Sequence, residues 1–318
     1  MSNLMKGDDV NIDRLSSFLQ KQGMLNVMLV STIQNHVFYL EPFKGHSLIL
    51  KRHRNRARLE QQWRFFAQQT SSVIIPFQRF PNQKPYLTDD SHYWTITPYI
   101  PGKKLNYHFA GDRESGLLAL QTFHHDTKRI KVSSPLRQEI FYRRWSKRLQ
   151  KFRNTAPLFQ EYGFGALFND IVQTTEKHLS LITGFDWAGL ERSALQSGTW
   201  IHGDVAAHNF IRYKGRVYMI DFDLLGCASP LHDYIQLGQR FLPYLNWDSE
   251  RLLSYNMVQE KYLRPWLYAL FIPSDVMRDW LYYMNRRSIQ PVGDYLEKME
   301  REWIQRLSFL KTAIDMLN

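Results

Sequence analysis

Ile201-His202-Gly203-Asp204-Val205-Ala206-Ala207-His208-Asn209 runs into Phe210–Tyr213, the dipeptide Lys214-Gly215, Arg216–Ile220 and then Asp221-Phe222-Asp223. Two apolar and aromatic runs flank a two-residue turn ending in glycine, which predicts a tight β-hairpin. With Lys214 and Gly215 as the turn, Tyr213 faces Arg216, Asn209 faces Ile220 and His208 faces Asp221. Asn209 and Asp221 are therefore expected at the open end of one hairpin, with Asp204 in the loop five residues ahead of Asn209. Three oxygen-bearing side chains converge, although the outermost are 17 positions apart. A hard cation such as Mg²⁺ takes carboxylate and amide oxygens and keeps several waters. Asn209 and Asp221 are thus a sufficient protein share once phosphate oxygens complete the shell. Asp204 is left to orient a nucleophile. Asp, Asn and Gly are also common in turns. At this chain's composition, however, His, Gly, Asp and Asn at that spacing arise by accident roughly once per thousand such chains.

Upstream of this stretch, residues 25–100 read as short strands separated by turns. Met28–Thr32, His36–Glu41 and Ser47–Arg52 are rich in β-branched, aromatic and aliphatic residues, with Pro42, Lys44 and Gly45 between them, and predict a three-strand meander. Arg58–Gln69 carries a helical pattern with Leu59, Trp63, Phe66 and Ala67 on one side. Strand character returns at Val73–Phe80 and Tyr93–Ile100. Two prolines and a glycine in Thr97–Gly102 then end the pattern and mark a hinge. Beyond it the periodicity is helical over Arg113–Thr127, Arg137–Phe152, Phe164–Leu181 and Trp187–Leu195. In the basic run from Arg137 to Arg153, Phe141, Trp145, Leu149 and Phe152 recur at spacings of four, four and three, one buried stripe under a solvated basic face. Tyr295, Met299, Trp303, Arg306 and Leu310 trace a second stripe near the C-terminus.

The 318 residues bound one large domain or two modest ones. With 44% apolar and 22% charged residues the chain can bury a sizeable core, which excludes collagen-like, low-complexity and intrinsically disordered classes. No run approaches the roughly 18 apolar residues that a membrane span requires. Asp8 and Asp9 stand where a secretory signal needs a basic start and an apolar run, so a cytoplasmic protein is expected. The lone Cys227 permits no internal disulfide and no cysteine zinc cage. A formal charge of +11 suggests an anionic partner, but no nucleic-acid reading motif accompanies it, so a nucleic-acid binder is disfavoured.

His202, Gly203, Asp204, four residues and Asn209, then a hairpin and Asp221, together resemble the catalytic loop and metal-binding aspartate of the aminoglycoside phosphotransferase and choline kinase superfamily, relatives of protein kinases. The wording of Val205–Phe210, Asp221–Leu224 and Arg240–Trp247 resembles more narrowly the spore-coat CotS/YutH-like branch of spore-forming bacteria. The resemblance implies an α+β, bilobal, protein-kinase-like fold. Residues 1–96 would form a small antiparallel-sheet N-lobe with one main helix, residues 97–103 the hinge, and residues 104–318 a larger, mostly helical C-lobe.

It also implies roles for individual residues. Lys51, at the end of the third expected strand, would hold ATP phosphates. Glu60, nine residues on, would pair with it, and the hinge at Thr97–Gly102, Thr97 and Tyr99 above all, would receive the adenine through backbone groups. Asp204, Asn209 and Asp221 would be catalytic, with Mg²⁺ on Asn209 and Asp221. His202 would hold the loop, Asp233 would anchor its underside, and Asp223 would be either a second metal contact or a solvated neighbour. The turn Ser31–His36 contains no glycine, so a glycine-rich phosphate cover is not expected.

The activity implied is ATP- and Mg²⁺-dependent transfer of a phosphoryl group to a hydroxyl of an amino alcohol, aminosugar, sugar or protein. The rival within the resemblance is a catalytically weak kinase-fold scaffold or binding protein located in the spore coat among other coat proteins. A metal-dependent phosphoesterase built on His202, Asp204, His208, Asn209, Asp221 and Asp223 would leave Lys51, Glu60 and the hinge unexplained.

Overall fold

The computed structural model describes residues 5–136, 139–285 and 290–315. In chain order these form α1 (Met5–Gly23), β1 (Val27–Gln34), β2 (Val37–Pro42), β3 (Leu48–His53), α2 (Arg56–Phe66), β4 (Leu87–Thr88), β5 (Tyr93–Pro98), β6 (Lys103–Lys104) and α3 (Ala110–Asp126). There follow α4 (Phe141–Arg153), α5 (Ala156–Glu161), α6 (Gly165–Thr183), α7 (Trp187–Ser197), β7 (Trp200–Ile201), β8 (Phe210–Tyr213), β9 (Arg216–Met219) and β10 (Gly226–Cys227). The chain closes with α8 (Leu231–Phe241), α9 (Ser249–Leu253), α10 (Glu260–Leu270), α11 (Ser274–Asn285) and α12 (Val292–Asp315). Two compact units result. One takes the chain up to Leu105 together with Leu118–Leu136 and His208–Leu225, and the other takes the remainder. The hairpin read above belongs to the first unit.

In the first unit a five-stranded antiparallel sheet has the order β1-β2-β3-β5-β4. The register places Lys51 between Val37 and Thr95. One face buries Val30, Leu40, Leu48, Leu50, Trp94 and Ile96, and α1 covers it with Leu15, Phe18 and Leu19. Asn55 caps α2 by accepting the Arg58 N–H at 3.0 Å. The helix begins two residues before the expected Arg58 and ends three before Gln69, burying Leu59, Gln61, Gln62, Phe65 and Phe66. Val73–Phe80 is not a strand. Pro76 removes a ladder donor, and only isolated bridges form, Ile74 to Met219 and Gln78 to Ile96.

The hairpin β8–β9 pairs Phe210 with Met219, Ile211 with Tyr218, Arg212 with Val217 and Tyr213 with Arg216, the register expected from the turn. Lys214 and Gly215 both have positive φ, 47° and 76°, as a two-residue turn matching strand twist requires. β6 extends this pair into a three-stranded sheet.

The second unit is helical apart from the short β7–β10 pair. α4 buries Phe141, Trp145, Leu149 and Phe152, the expected stripe, while Arg137 lies outside the described residues. So do Met1–Leu4 of the N-terminal stretch. α12 buries Met299, Trp303, Arg306, Phe309 and Leu310. α8 lies close to α10: a Cβ on Gly238 would stand 3.0 Å from Trp266 and Leu270, and Trp266 Nε1 donates to the Tyr234 carbonyl at 3.0 Å. Among the described residues no helix is long and apolar enough to cross a membrane.

Candidate active site

The first unit gathers charge around Lys51. Its Nζ donates to Asp221 Oδ1 at 2.7 Å and lies 2.8 Å from Asp223 Oδ2. The lysine side chain is 14% exposed and the two aspartates 45% and 47%, so a sunken ammonium holds carboxylates that remain open to solvent. Burial alone would lower the lysine pKa. The two carboxylates outweigh it and hold the group above its ordinary value. Asn209 ends the short turn Ala207–Asn209 and is buried, and its carbonyl accepts the Ile220 N–H at 3.0 Å. The ladder thus continues one step past β8–β9 and delivers Asn209 and Asp221 to the same end, as the turn arithmetic requires. Asp221 itself has φ 64°.

α2 grips the segment that carries these carboxylates. Gln62 Nε2 donates to the Phe222 carbonyl at 2.7 Å, Gln61 Nε2 to that of Leu225 at 3.0 Å, and Arg58 Nη1 to that of Asp223 at 3.2 Å. Glu60 departs from expectation. Its partners are Arg56 Nε at 2.8 Å and Arg64 Nη2 at 4.0 Å, while Lys51 pairs with Asp221 and Asp223. Helical i,i+4 neighbours need no chain closure to meet, so they capture the glutamate first.

At the hinge, Thr97 pairs with Ile49 on β3. Tyr99 donates its N–H to the Ser47 carbonyl at 3.0 Å, and its ring meets Tyr39 edge-on at 5.0 Å. The Tyr99 N–H is therefore committed within the sheet. That of Ile100, also within the expected hinge, carries no such bond among the described residues.

In the second unit three residues of α8 hold the His202–Asp204 loop. Asp233 accepts the N–H of His202 at 2.8 Å and of Gly203 at 2.9 Å, and Gln236 Nε2 donates to the Gly203 carbonyl at 2.9 Å. Arg240 Nη2 donates to Asp204 Oδ1 at 2.7 Å. Positions 233, 236 and 240 share one helix face, with the acid in the first turn and the base in the last, each favourable to the helix dipole. His202 is buried, and its Nδ1 accepts the Asp204 N–H at 3.3 Å. Asp233 and His202 are thus both bonded to backbone N–H groups of this loop. Gln236 and Arg240 are new, and only their spacing from Asp233 could have disclosed them.

The same unit holds a cavity of about 420 Å³ lined by Trp247, Asp275, Asp279, Tyr295, Glu302 and Arg306, among others. Arg306 donates from Nη2 to both Asp275 oxygens, at 2.8 and 2.7 Å, and lies 4.4 Å over the Trp247 ring. Burial would raise the Asp275 pKa, but the Arg306 charge outweighs it and holds the carboxyl low. Asp279 accepts from Arg278 Nε at 2.8 Å, and Asp204 is among the charges acting on Arg278.

The donor set fits Mg²⁺. Asn209 and Asp221 are hard oxygen donors, and two is the protein share expected for an ion that finishes its shell with phosphate and water. Among the described residues no three His, Cys, Asp or Glu form a protein-only metal cage.

Comparison with known proteins identifies the family and the fold. The profile of the phosphotransferase enzyme family, APH, matches residues 29–255, most of the chain, and the protein belongs to that family. It is an α+β protein with the fold of those enzymes. An aminoglycoside phosphotransferase from Alicyclobacillus acidocaldarius superposes with a TM-score of 0.73 at 17% identity, covering 94% of this chain and 95% of that one. An amicoumacin kinase in complex with AMP-PNP, Ca²⁺ and Ami gives 0.60 at 15%, covering 99% and 96%. A choline/ethanolamine kinase family protein from Mesorhizobium loti gives 0.57 at 15%, covering 96% and 99%. No curated protein matches the sequence.

Proposed function

We propose that the protein transfers the γ-phosphoryl group of ATP to a hydroxyl of a small molecule, with Mg²⁺. The observation that carries this reading is the Lys51 ammonium held between Asp221 and Asp223, at 2.7 and 2.8 Å. A half-buried cation beside two open carboxylates is an arrangement that receives both phosphate oxygens and a divalent ion. Mg²⁺ bound with the nucleotide supplies the positive charge that neutralises the moving phosphoryl group. Asn209 and Asp221 hold it, Lys51 binds phosphate oxygens, and the Ile100 N–H is the hinge donor offered to the adenine.

Asp204 aligns the acceptor hydroxyl. A carboxylate is a far weaker base than an alkoxide, so it takes the proton only as the oxygen bonds to phosphorus and the bond to the ADP leaving oxygen breaks. The acceptor occupies the cavity lined by Trp247, Tyr295 and the carboxylates of Asp275, Asp279 and Glu302. Those carboxylates have basic partners, Arg306, Arg278 and Lys298, so the walls offer both signs of charge beside aromatic faces. That lining suits a ring or chain bearing several hydroxyl and amino groups.

ATP consumption, followed by ³¹P NMR against a panel of amino alcohols, aminosugars, sugars and proteins, tests the reading. One acceptor class is expected to yield a phosphate ester, abolished in Asp204→Asn. Failure of the protein to bind ADP or ATP with Mg²⁺ overturns it. The spore-coat scaffold, motivated by the wording of Val205–Phe210 and Arg240–Trp247, is the reading to adopt if Asp204→Asn keeps the full biological role.

A further inference from the structure

Arg240 is not part of the motif that identifies this family's active loop, yet it is bonded to the carboxylate at that loop's centre. The pair is close, 2.7 Å between Nη2 and Oδ1, and half-buried, with Arg240 32% and Asp204 36% exposed. An isolated surface pair of this kind contributes little. Three features set it apart. Arg240 extends from the face of α8 that fixes the backbone of the same loop through Asp233 and Gln236, so the guanidinium is aimed by a rigid helix rather than by a loop. The Val205 carbonyl, one residue on, accepts the Tyr107 hydroxyl at 3.0 Å, and Tyr107 packs edge-on against Phe241, the neighbour of Arg240, with ring centroids 4.9 Å apart. Arg113 Nη1 in turn donates to the Tyr107 carbonyl at 2.6 Å. The backbone of the loop is thus held from separate directions, while Arg240 bonds the Asp204 carboxylate itself.

We infer that Arg240 is a positioning residue for phosphoryl transfer: by fixing Oδ1 of Asp204 it sets the rotation of the carboxylate and turns Oδ2 to the acceptor hydroxyl. A carboxylate free to rotate spends much of its time with neither oxygen directed at the hydroxyl. A fork-shaped donor on one oxygen removes that freedom before substrate arrives. The role rests on the assignment of Asp204 proposed above. It differs from substrate binding because the guanidinium acts through Asp204.

Steady-state kinetics with the acceptor found in the panel, on wild type, Arg240→Ala, Arg240→Lys and Asp204→Asn, tests it. Loss of one charge-assisted hydrogen bond predicts a kcat about 30-fold lower in Arg240→Ala, with the KM for ATP unchanged within about twofold. Free guanidinium ion should restore kcat at least about tenfold in Arg240→Ala and leave Asp204→Asn inactive, a rescue that a merely structural role does not show. If Arg240→Ala does not fold, Arg240→Lys carries the test: it keeps the charge but not the fork, and kcat should fall with the KM for ATP unchanged. Unchanged kcat in either variant, a KM for ATP rising in step with the loss, or guanidinium rescue of Asp204→Asn overturns the inference. Wild-type turnover in Asp204→Asn instead sinks the assignment of Asp204 itself, so the two failures are distinguishable.

Discussion

His53 should make the first unit sensitive to acid. It ends β3 with its side chain 8% exposed, Nε2 2.8 Å from Thr95 Oγ1 and the ring edge-on to Phe77 at 5.8 Å. Burial lowers its pKa from 6.5 to about 4. Asp223 attracts the protonated form, but Lys51 repels it. Between those two values the unfolded chain binds a proton that the folded one refuses. The stabilisation is therefore complete above about pH 6.5 and is lost as the pH falls toward about pH 4. At 1.36 kcal/mol per unit the full loss is about 3 kcal/mol. Urea unfolding followed by tryptophan fluorescence, at several values from about pH 7 to about pH 4, measures it in wild type and in His53→Gln, which cannot titrate in this range. The wild type should lose about 3 kcal/mol more than the variant over that window. Parallel stability curves for the two proteins would falsify the account.

Arg306→Met leaves the Asp275 carboxylate without its guanidinium and should cost about 3 kcal/mol near neutral pH, whereas adding Asp275→Asn should recover part of that loss in the same urea titration. A Cβ at Gly102 would stand 2.5 Å from the Arg212 carbonyl oxygen and from Ile211 Cγ2. Gly102→Ala should therefore separate β6 from β8 at a cost of about 2 kcal/mol, and an unchanged unfolding midpoint refutes that close approach. Burial, with a smaller contribution from Glu191, pushes the Cys227 thiol up to about 11. The native protein should react with a disulfide reagent about a hundredfold more slowly than an ordinary exposed thiol, with full labelling only after unfolding.

What the sequence disclosed follows the range of the forces involved. The β8–β9 register was legible because a two-residue turn with two positive φ angles leaves one way to pair the flanking strands. The stripe of α4 was legible because Phe141, Trp145, Leu149 and Phe152 are spaced for one face. Helix α1 carries the same kind of signal in Ile12, Leu15, Phe18 and Leu19, but a polar start conceals it. The misreading of Val73–Phe80 was local too, with Pro76 in the middle of the run. Glu60 shows the opposite limit. The family resemblance implied a pair with Lys51, yet which face of α2 it occupies depends on where the helix begins. The partners that replaced it, Asp221 and Asp223, come from 170 and 172 positions away. No periodicity records such an encounter, nor the reach of Arg240 to Asp204.

The ammonium between Asp221 and Asp223 serves the protein before any ligand arrives, since it keeps two like charges together at the end of a hairpin. Substituting Lys51 to make an inert enzyme therefore also disturbs the resting protein, because the carboxylates are left to repel each other and draw protons or stray cations. Such a variant is a poor blank for calorimetry or metal titration. The Asp204→Asn change removes neither the ammonium nor either of its two carboxylates.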